Sequence, residues 1–234
     1  MSQRNAVIVL AAGRGSRMHS SVPKQFMTLG DEPVICHSIR QFEQFSGIGD
    51  IVLVTDEEDV EFCREEIVAK YGFRKVRAVI AGGEERYDSV YAGLKWLKES
   101  GREYTYIMIH DGARPLIDQE LLRRNLKDAE EYGNAVSGMP SKDTIKICTP
   151  SGMVLDTPER RNLWQVQTPQ TFRFEQACSA YEKLYELRLE NITDDAMVVE
   201  KVLGEPVHMT EGSYRNIKIT TPEDMIIAEA LLKT

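Results

Sequence analysis

A short segment near the N-terminus combines glycines with positively charged side chains, the two features that hold bound phosphates. The segment is LAAGRGSRM, residues 10–18, and it follows an apolar run that predicts the first strand. Gly13 and Gly15 allow a tight turn that brings backbone N–H groups close to an anion. Positive charge is added around the same turn by Arg14, Arg17 and Lys24. The segment predicts a phosphate-binding loop, with a purely structural glycine-rich turn as the alternative.

Two better-known phosphate-binding motifs do not fit this loop. The dinucleotide-binding pattern G-x-G-x-x-G needs a third glycine, and Met18 stands in its place. The pattern G-x-x-x-x-G-K-[ST] of P-loop enzymes does not occur in the sequence. The loop is therefore neither a dinucleotide-binding fingerprint nor a P-loop.

A second group of candidate residues is the segment HDGARP, residues 110–115, which follows the fourth predicted strand. Asp111 is a candidate ligand of Mg²⁺, which takes few carboxylates and several phosphate or water oxygens, or a hydrogen-bond partner of a substrate hydroxyl. Arg114 is a candidate for forked binding of a phosphate or for holding the loop through backbone carbonyls. An Asp–Arg pair that only stabilises a turn is the alternative. We expect His110 to be a packed residue at the strand end with no chemical role.

Four further positions have a functional interpretation, a structural one, or both. Gly83 follows the third predicted strand and is a candidate for backbone contact with a nucleoside, and Ser89 suits either a nucleobase contact or a helix cap. Lys218 lies in a predicted strand, residues 216–219, and faces away from its apolar neighbours, so it belongs to a site or to a solvated face. Thr193 is predicted to be a helix N-cap.

The first two-thirds of the sequence alternate between apolar runs and amphipathic stretches. The predicted strands are residues 6–10, 51–55, 76–80 and 106–110, and the predicted helices are residues 34–45, 57–71, 88–99 and 119–132. Apolar strands without alternation indicate burial on both faces, and strand–helix repetition indicates a parallel sheet covered by helices. The fold class is therefore α/β, with a Rossmann-like, mostly parallel sheet whose carboxyl edge binds the ligand.

The pattern changes after residue 133. Strands are predicted at residues 134–139, 163–167, 206–209 and 216–219, and helices at residues 175–190 and 194–203. A last helix is predicted to begin near Thr221-Pro222, with Thr221 as its cap. Residues 141–161 are polar and irregular and predict a protruding β-arm. The whole chain, residues 1–234, is expected to form one domain that carries this arm.

The composition excludes several functional classes. The 234 residues carry a net charge of −8, and an acidic surface argues against sequence-independent binding of nucleic acid. The four cysteines form no C-x-x-C pair and have no histidine at metal-ligand spacing, which favours reduced thiols in the cytoplasm. The purest apolar run, residues 6–12, is too short to cross a membrane, and we expect no signal peptide.

Five segments together resemble a known family. LAAGRGSRM followed by PKQF, residues 23–26, resembles the signature of sugar-nucleotide pyrophosphorylases. The further segments are GGEERYDSV at 82–90, HDGARP at 110–115, LWQVQTPQTF at 163–172 and NIKITTPEDM at 216–225. In this order they resemble the 2-C-methyl-D-erythritol 4-phosphate cytidylyltransferase family of isoprenoid biosynthesis, from Val7 to about Ala230. The sequence departs from some relatives at Gly112, where others carry alanine, and at Glu84, where an aspartate can stand.

The resemblance implies transfer of a cytidylyl group from CTP to 2-C-methyl-D-erythritol 4-phosphate with release of pyrophosphate and with Mg²⁺, or another divalent cation, at Asp111. The implied catalytic residues are Arg17, Lys24 and Lys218. The implied nucleotide-binding residues are Ala11, Ala12, Gly13, Gly15, Gly83 and Ser89. The implied substrate-binding residues are Asp111, Arg114, Thr144, Arg160 and Thr193. The acceptor phosphate is already ionised, so the reaction needs positioned cations rather than a general base.

Two alternative functions remain open at this point. A ribitol 5-phosphate cytidylyltransferase would share the fold and the chemistry, although HDGARP is closer to the methylerythritol group. A regulatory nucleotide-binding module would keep the loop without the chemistry, and the presence of Arg17, Lys24 and Lys218 argues against it.

The arm is expected to contact a second copy of the chain. A projecting hairpin is marginally stable alone, and a two-fold mate supplies a packing partner. The resemblance implies a homodimer in which Thr144 and Arg160 contact the acceptor phosphate in the other subunit. A solvent-exposed loop is the alternative.

Overall fold

The central element of the protein is a seven-stranded sheet, built within residues 4–13, 22–187, 189 and 191–233, which are the residues that the structure, a computed structural model, describes. The strand order is β11-β7-β10-β6-β1-β4-β5, and two short pairs, β2 with β3 and β8 with β9, lie outside this sheet. In chain order the strands are β1 (Ala6–Leu10), β2 (Thr28–Leu29), β3 (Glu32–Pro33), β4 (Asp50–Thr55), β5 (Val76–Ala81), β6 (Tyr106–Asp111), β7 (Asn134–Pro140), β8 (Ile147–Cys148), β9 (Val154–Asp156), β10 (Trp164–Arg173) and β11 (Met209–Glu211).

Helices connect most of these strands. They are α1 (Val34–Gln44), α2 (Val60–Phe62), α3 (Arg86–Glu99), α4 (Gln119–Tyr132), α5 (Phe174–Leu187), α6 (Asp195–Val198) and α7 (Pro222–Leu232). Helix α2 follows a 3₁₀ turn at Glu57–Asp59 and continues into a π-helical segment at Cys63–Ala69, and α6 continues into a second one at Val199–Leu203. Short 3₁₀ turns also occur at Lys24–Phe26 and Arg160–Asn162.

The sheet is mostly parallel, which confirms the predicted fold class. Strand β1 pairs in parallel with β4 and β6, and β4 pairs in parallel with β5. Strand β10 is antiparallel to both β6 and β7. The sequence predicted only residues 163–167 as a strand here, because the polar run of glutamines and threonines that follows has no apolar periodicity. Tertiary pairing on both sides of β10 explains its greater length.

Two apolar layers cover the faces of the sheet. On β1, Val7 and Val9 pack against the layer of α1 and α4, while Ile8 and Leu10 pack against the layer of α3 and α5. All four side chains are less than a tenth exposed. The absence of alternation in the sequence of this strand is therefore explained by burial on both faces.

Two predicted strands near the C-terminus are wrong. The segment predicted at residues 206–209 forms a strand only from Met209, because the Asn134 side chain binds the carbonyl of Pro206 and the N–H of His208. Residues 216–219 form no strand, since their backbone groups bind the preceding turn, the Ala113 carbonyl and the Arg114 side chain instead of a neighbouring ladder.

Two helix caps also differ from prediction. Asp194, not Thr193, caps α6, and its side chain accepts a hydrogen bond from the N–H of Met197. Helix α3 is capped by Glu85, which shares a capping box with Asp88, so Ser89 is not the cap. The capping box of Thr221 at the start of α7 confirms the predicted beginning of the last helix.

The segment between β7 and β10 lies outside the main sheet. Its two short strands, β8 and β9, pair with each other, and all of their residues are exposed. In the part of the chain that the structure describes, no helix combines the length and the hydropathy needed to cross a membrane.

Candidate active site

A cavity of about 200 Å³ lies where the glycine loop meets the end of β5. Gly13 and Gly83 line it together with Ala12 and Ser89, so the structure brings four of the predicted nucleotide-binding residues together. Gly13 has a φ of +106°, a conformation that glycine adopts without strain. Its N–H lies 3.2 Å from a carboxylate oxygen of Asp56, a cavity residue that the sequence did not single out.

Close packing explains the glycine at position 83. A β-carbon on Gly83 would lie 2.3 Å from the Cβ of Asp88, a separation that side chains cannot adopt. The Gly83 N–H instead donates a hydrogen bond to the Ser89 hydroxyl over 3.3 Å. Ser89 is buried in the first turn of α3 and faces this turn. The glycines therefore allow the β5–α3 connection to fold back against the helix and to form one wall of the cavity.

Two predicted residues of the glycine loop cannot be placed. Gly15 and the predicted catalytic Arg17 lie in residues 14–21, outside the described residues. Ala11, Ala12 and Gly13, the described part of the loop, all line a cavity at the carboxyl edge of the sheet. The described residues of the loop therefore lie at the predicted ligand-binding edge of the sheet.

A second cavity, of about 180 Å³, adjoins the first and gathers charged residues. Lys24 reaches it from the 3₁₀ turn after the loop, and Lys218 reaches it from the segment before α7. Asp111, at the end of β6, lines this second cavity and also a third one. Two lysines and one aspartate from distant parts of the chain therefore line the same cavity. The sequence predicted all three, Lys24, Lys218 and Asp111, as site residues.

Asp111 is surrounded by cations. Its carboxylate lies 2.7 Å from the Lys218 ammonium and 3.1 Å from Nε of Arg86. Arg114 approaches to 4.0 Å. Burial alone would raise the pKa of Asp111, but Arg86, Lys218 and Arg114 outweigh it and hold the pKa well below its usual value. Asp111 is therefore an ionised group throughout the physiological pH range.

The neighbouring His110 has a structural role, as predicted. It is fully buried and its ring packs edge-on against Phe42. Its Nδ1 lies 3.0 Å from the Thr168 hydroxyl, which also accepts a hydrogen bond from the N–H of Asp111. Burial lowers the pKa of His110 to about 3, so the ring is neutral. The pair of His110 and Thr168 fixes the backbone that presents Asp111.

A third cavity, of about 300 Å³, lies beside Asp111 and Lys218 and is lined by β10 and the start of α6. Arg114 and Thr193, both predicted substrate-binding residues, line it. Nη1 of Arg114 donates to the carbonyl of Asn216 over 2.8 Å, so this arginine also holds the segment that carries Lys218. The predicted alternation is correct here: Ile219 is fully buried, whereas Lys218 reaches the cavity.

Arg86 joins the three cavities and was missed as a site residue. It lines all three of them, and its guanidinium binds both Asp111 and Asp195. The sequence contained a signal, since Arg86 belongs to the GGEERYDSV segment. Nothing local distinguished it from a surface arginine, because its two carboxylate partners lie 25 and 109 residues away.

The two predicted residues of the arm lie apart from these cavities. Thr144 and Arg160 are exposed, and neither lines any of the three cavities within the described chain. Arg160 donates a hydrogen bond to the carbonyl of Lys142 over 3.2 Å. The structure of the single chain therefore does not bring the arm residues together with the other predicted site residues.

A mostly parallel α/β sheet with a glycine loop and a cluster of cations at its carboxyl edge defines a nucleotidyltransferase. The family model of 2-C-methyl-D-erythritol 4-phosphate cytidylyltransferase matches residues 5–234. The chain therefore belongs to the 2-C-methyl-D-erythritol 4-phosphate cytidylyltransferase family, and it is a cytidylyltransferase of isoprenoid precursor biosynthesis.

Individual relatives agree with this assignment. A curated 2-C-methyl-D-erythritol 4-phosphate cytidylyltransferase of Lachnoclostridium phytofermentans is 45% identical over 231 residues, which cover 99% of this chain and 97% of the relative. The corresponding enzyme of Alkaliphilus oremlandii is also 45% identical and covers 99% of this chain and 96% of its own length. A solved 4-diphosphocytidyl-2C-methyl-D-erythritol synthase of Anaerococcus prevotii has a TM-score of 0.83 at 30% identity, covering 99% of this chain and 97% of the solved one.

Proposed function

We propose that this chain transfers the cytidylyl group of CTP to 2-C-methyl-D-erythritol 4-phosphate and releases pyrophosphate. The observation that carries the proposal is the row of three adjoining cavities, which all contain Arg86, with Asp111 and Lys218 shared by the second and third. A reaction between two phosphorylated molecules needs such an arrangement, with one compartment for each molecule and cations between them.

The first cavity suits the nucleoside of CTP. Gly83 and Ser89 offer a glycine backbone and a hydroxyl at its wall. Cytosine carries an amine at C4 where uracil carries a carbonyl. A site that hydrogen-bonds this amine rejects uracil, because the polar groups of the site are then left without hydrogen-bond partners. Ser89 and the backbone at Gly83 are therefore the proposed base-contacting groups, with Ala11, Ala12, Gly13 and Gly15 against the phosphates.

The second and third cavities suit the reacting phosphates and the acceptor. An acceptor phosphate oxygen attacks the α-phosphorus in line, and the bond from that phosphorus to the pyrophosphate oxygen breaks. Lys24 and Arg17 are proposed to stabilise charge on the α-phosphate and the leaving group, and Lys218 to orient the attacking phosphate. Arg114 and Thr193 are proposed to bind the acceptor. The nucleophile is ionised already, so no side chain has to remove a proton.

Asp111 is the residue that would hold a divalent cation. Within the described chain no three carboxylate, histidine or cysteine side chains cluster as metal ligands. The Asp111 carboxylate already pairs with Lys218 and Arg86. It would therefore hold Mg²⁺ through a remaining lone pair or through water, with the oxygens of a bound triphosphate as the main ligands. Bound there, the cation would offset the repulsion between phosphate oxygens.

The substrate assignment is tested by measuring pyrophosphate release with CTP and a panel of polyol phosphates in the presence of Mg²⁺. We expect 2-C-methyl-D-erythritol 4-phosphate to give the highest kcat/KM. Higher kcat/KM with ribitol 5-phosphate would instead assign the chain to pentitol phosphates. Nucleotide binding without pyrophosphate release from any acceptor would indicate a regulatory module.

We further propose that residues 141–161 form an arm that packs on a second copy of the chain. Apolar side chains on this segment face solvent: Met153 is 69% exposed and Leu155 is 66% exposed. Trp164, at the foot of the segment, is 38% exposed. A symmetric mate would cover these side chains and would bring Thr144 and Arg160 to the acceptor site of the other subunit.

The arm proposal is tested by mixing two inactive variants, Lys24→Ala and Arg160→Ala, after dissociation and reassociation. If Arg160 acts in the partner's site, a mixed dimer contains one site with both residues intact, and activity partly returns. If it acts in its own site, every site carries one defect and the mixture stays inactive. A monomer in sedimentation at the assay concentration would also contradict the proposal.

A cytoplasmic location is proposed as well. Cys36, Cys63 and Cys178 are buried free thiols, and Cys148 is an exposed free thiol. Free thiols of this kind suit a reducing compartment. Fractionation of the source cells, with the protein located by antibody, would test the proposal.

A further inference from the structure

Arg86 binds two carboxylates of the site through three hydrogen bonds. Nη1 and Nη2 each lie 2.8 Å from a different oxygen of Asp195, and Nε lies 3.1 Å from Asp111. An arginine offers five N–H donors in a rigid fork. The hydrogen bonds among the described residues therefore use three of them, and the side chain remains 28% exposed to the cavities.

Asp195 is a buried anchor for this fork. Its side chain is fully buried, and the Tyr181 hydroxyl donates a hydrogen bond to the oxygen that also receives Nη1 of Arg86. Burial and the neighbouring carboxylate raise the pKa of Tyr181 well above its usual value, so the hydroxyl stays a donor. Gln170 of β10 accepts a hydrogen bond from the N–H of Ala196 over 2.8 Å, which ties the start of α6 to the sheet.

We propose that Asp195 and Tyr181 are positioning residues that hold the Arg86 guanidinium at the junction of the CTP and acceptor cavities. A bidentate pair fixes both the position and the plane of a guanidinium. Asp195 is also a second carboxylate partner of Arg86, in addition to Asp111. Without Asp195, Asp111 would be the one carboxylate partner of Arg86 among the described residues, and the fork could rotate about a single contact.

A second cluster on the opposite edge of the sheet provides a matched comparison. Asp50, at the start of β4, is also fully buried. It lies 2.6 Å from Nε of Arg77 and accepts a hydrogen bond from the Tyr104 hydroxyl over 2.9 Å. The two clusters therefore share a buried carboxylate, an arginine and a tyrosine, but only Asp195 adjoins the three cavities through its arginine.

The decisive experiment is a double-variant cycle between Asp195 and Arg86. Because the positioning role presupposes the proposed transfer, wild-type turnover with CTP and 2-C-methyl-D-erythritol 4-phosphate is measured first, and its absence would overturn the proposed function. The kcat and both KM values are then measured for Asp195→Asn, Arg86→Lys and the double variant, together with the midpoint of thermal unfolding.

We expect Asp195→Asn to lower kcat by ~10²-fold, the cost of misplacing one group by about an ångström. Since Asp195 acts through Arg86, the double variant should be no more than about threefold slower than Arg86→Lys alone. Asp50→Asn should lower the unfolding midpoint while retaining kcat. The proposal is overturned if the two kcat losses multiply, or if Asp195→Asn behaves like Asp50→Asn.

Tyr181→Phe keeps the result decisive if Asp195→Asn does not fold. This variant keeps the ring and the ion pair and removes one hydrogen bond to Asp195. We expect a loss of about tenfold in kcat that disappears in the Arg86→Lys background. An unchanged kcat for Tyr181→Phe, or the same loss in both backgrounds, would overturn the role of Tyr181 and with it the proposed anchor.

Discussion

The contact between Gly112 and Ile35 makes a prediction that can be worked out atom by atom. Gly112 directly follows Asp111. A β-carbon at Gly112 would lie 2.1 Å from Cδ1 of Ile35 and 2.9 Å from the carbonyl oxygen of Leu10. Ile35 is completely buried, so its side chain has little room to move. Gly112 is not among the glycines with a positive φ, so its backbone conformation does not disfavour alanine. The expected cost of alanine therefore comes from steric overlap.

The size of the effect follows from two opposing contributions. Overpacking a buried site by one methyl group costs about 1–3 kcal/mol. Replacing glycine by alanine in a compatible conformation returns about 0.4–1 kcal/mol by restricting the unfolded chain. Gly112→Ala should therefore lower the free energy of unfolding by about 1–2 kcal/mol. Because the overlap displaces the residue next to Asp111, kcat should fall as well, by up to ~10²-fold.

The matched second substitution is Ile35→Val, which deletes the overlapping Cδ1 atom. Alone it costs about 0.5–1.5 kcal/mol through lost burial. Combined with Gly112→Ala it relieves the larger overlap, so the double variant should be more stable than Gly112→Ala and should regain part of kcat. Urea unfolding and steady-state kinetics of the four proteins measure this coupling. Strictly additive losses would refute the reasoning, because they would show that Ile35 does not limit the space at Gly112.

Three other predictions concern the cations, the nucleotide and acid stability. Lys24→Ala should lower kcat by ~10²-fold or more and change the KM for CTP less, since the contact strengthens as charge develops; a near-wild-type kcat at saturating CTP would exclude Lys24 from the reaction. In a competition assay CTP should be used in preference to UTP, and equal incorporation would contradict the base contacts proposed for Ser89 and Gly83. Burial opposes ionisation of Asp50, but hydrogen bonds from Arg77, Tyr104 and Arg102 outweigh it and lower its pKa. Its stabilisation is thus present above the unfolded value of about 3.9 and is lost as the pH falls through the folded value. Asp50→Asn should lower the free energy of unfolding by about 2 kcal/mol at pH 7, a value kept small because the arginine partners of Asp50 are partly exposed to solvent. In urea unfolding, the difference in this free energy between the variant and the wild type should shrink below pH ~4.

The parallel part of the fold was predictable because its signals are local. Strand β1 has the predicted boundaries, and α4 agrees with the predicted residues 119–132 at both ends. Asp118 caps α4 and Gly133 ends it in a left-handed conformation, which are cues that stand in the sequence beside the helix. Apolar runs, caps and terminal glycines were therefore sufficient for these elements.

The antiparallel part was less predictable because its partners are distant. Strand β10 contains a long polar run, and its identity as a strand depends on pairing with β6 and β7 on both sides. The start of β11 depends on the Asn134 side chain, which binds the backbone of residues 206 and 208 and has no equivalent in local propensity. In both places tertiary contacts overrode the apolar pattern.

The same distinction applies to the candidate site. Lys24, Asp111 and Lys218 were found through motifs, and the structure brings them together in one cavity. Asp56 and Asp195 were not singled out, because an acidic residue at a strand or helix end is normally a cap or a surface group. Only the contacts of Asp56 with Gly13 and of Asp195 with Arg86 distinguish them.

The direction of β10 determines where the arm leaves the protein. Trp164 pairs with Pro140, so the two ends of the segment between β7 and β10 lie side by side. Because β10 runs antiparallel to β6, its first residues lie at the edge of the sheet where β6 ends with Asp111. Val166 and Thr168 consequently line the acceptor cavity, and residues 141–161 extend from its rim. The proposed arm therefore starts at the rim of the acceptor cavity, and a two-fold mate would have to approach this rim for Arg160 to act in the partner's site.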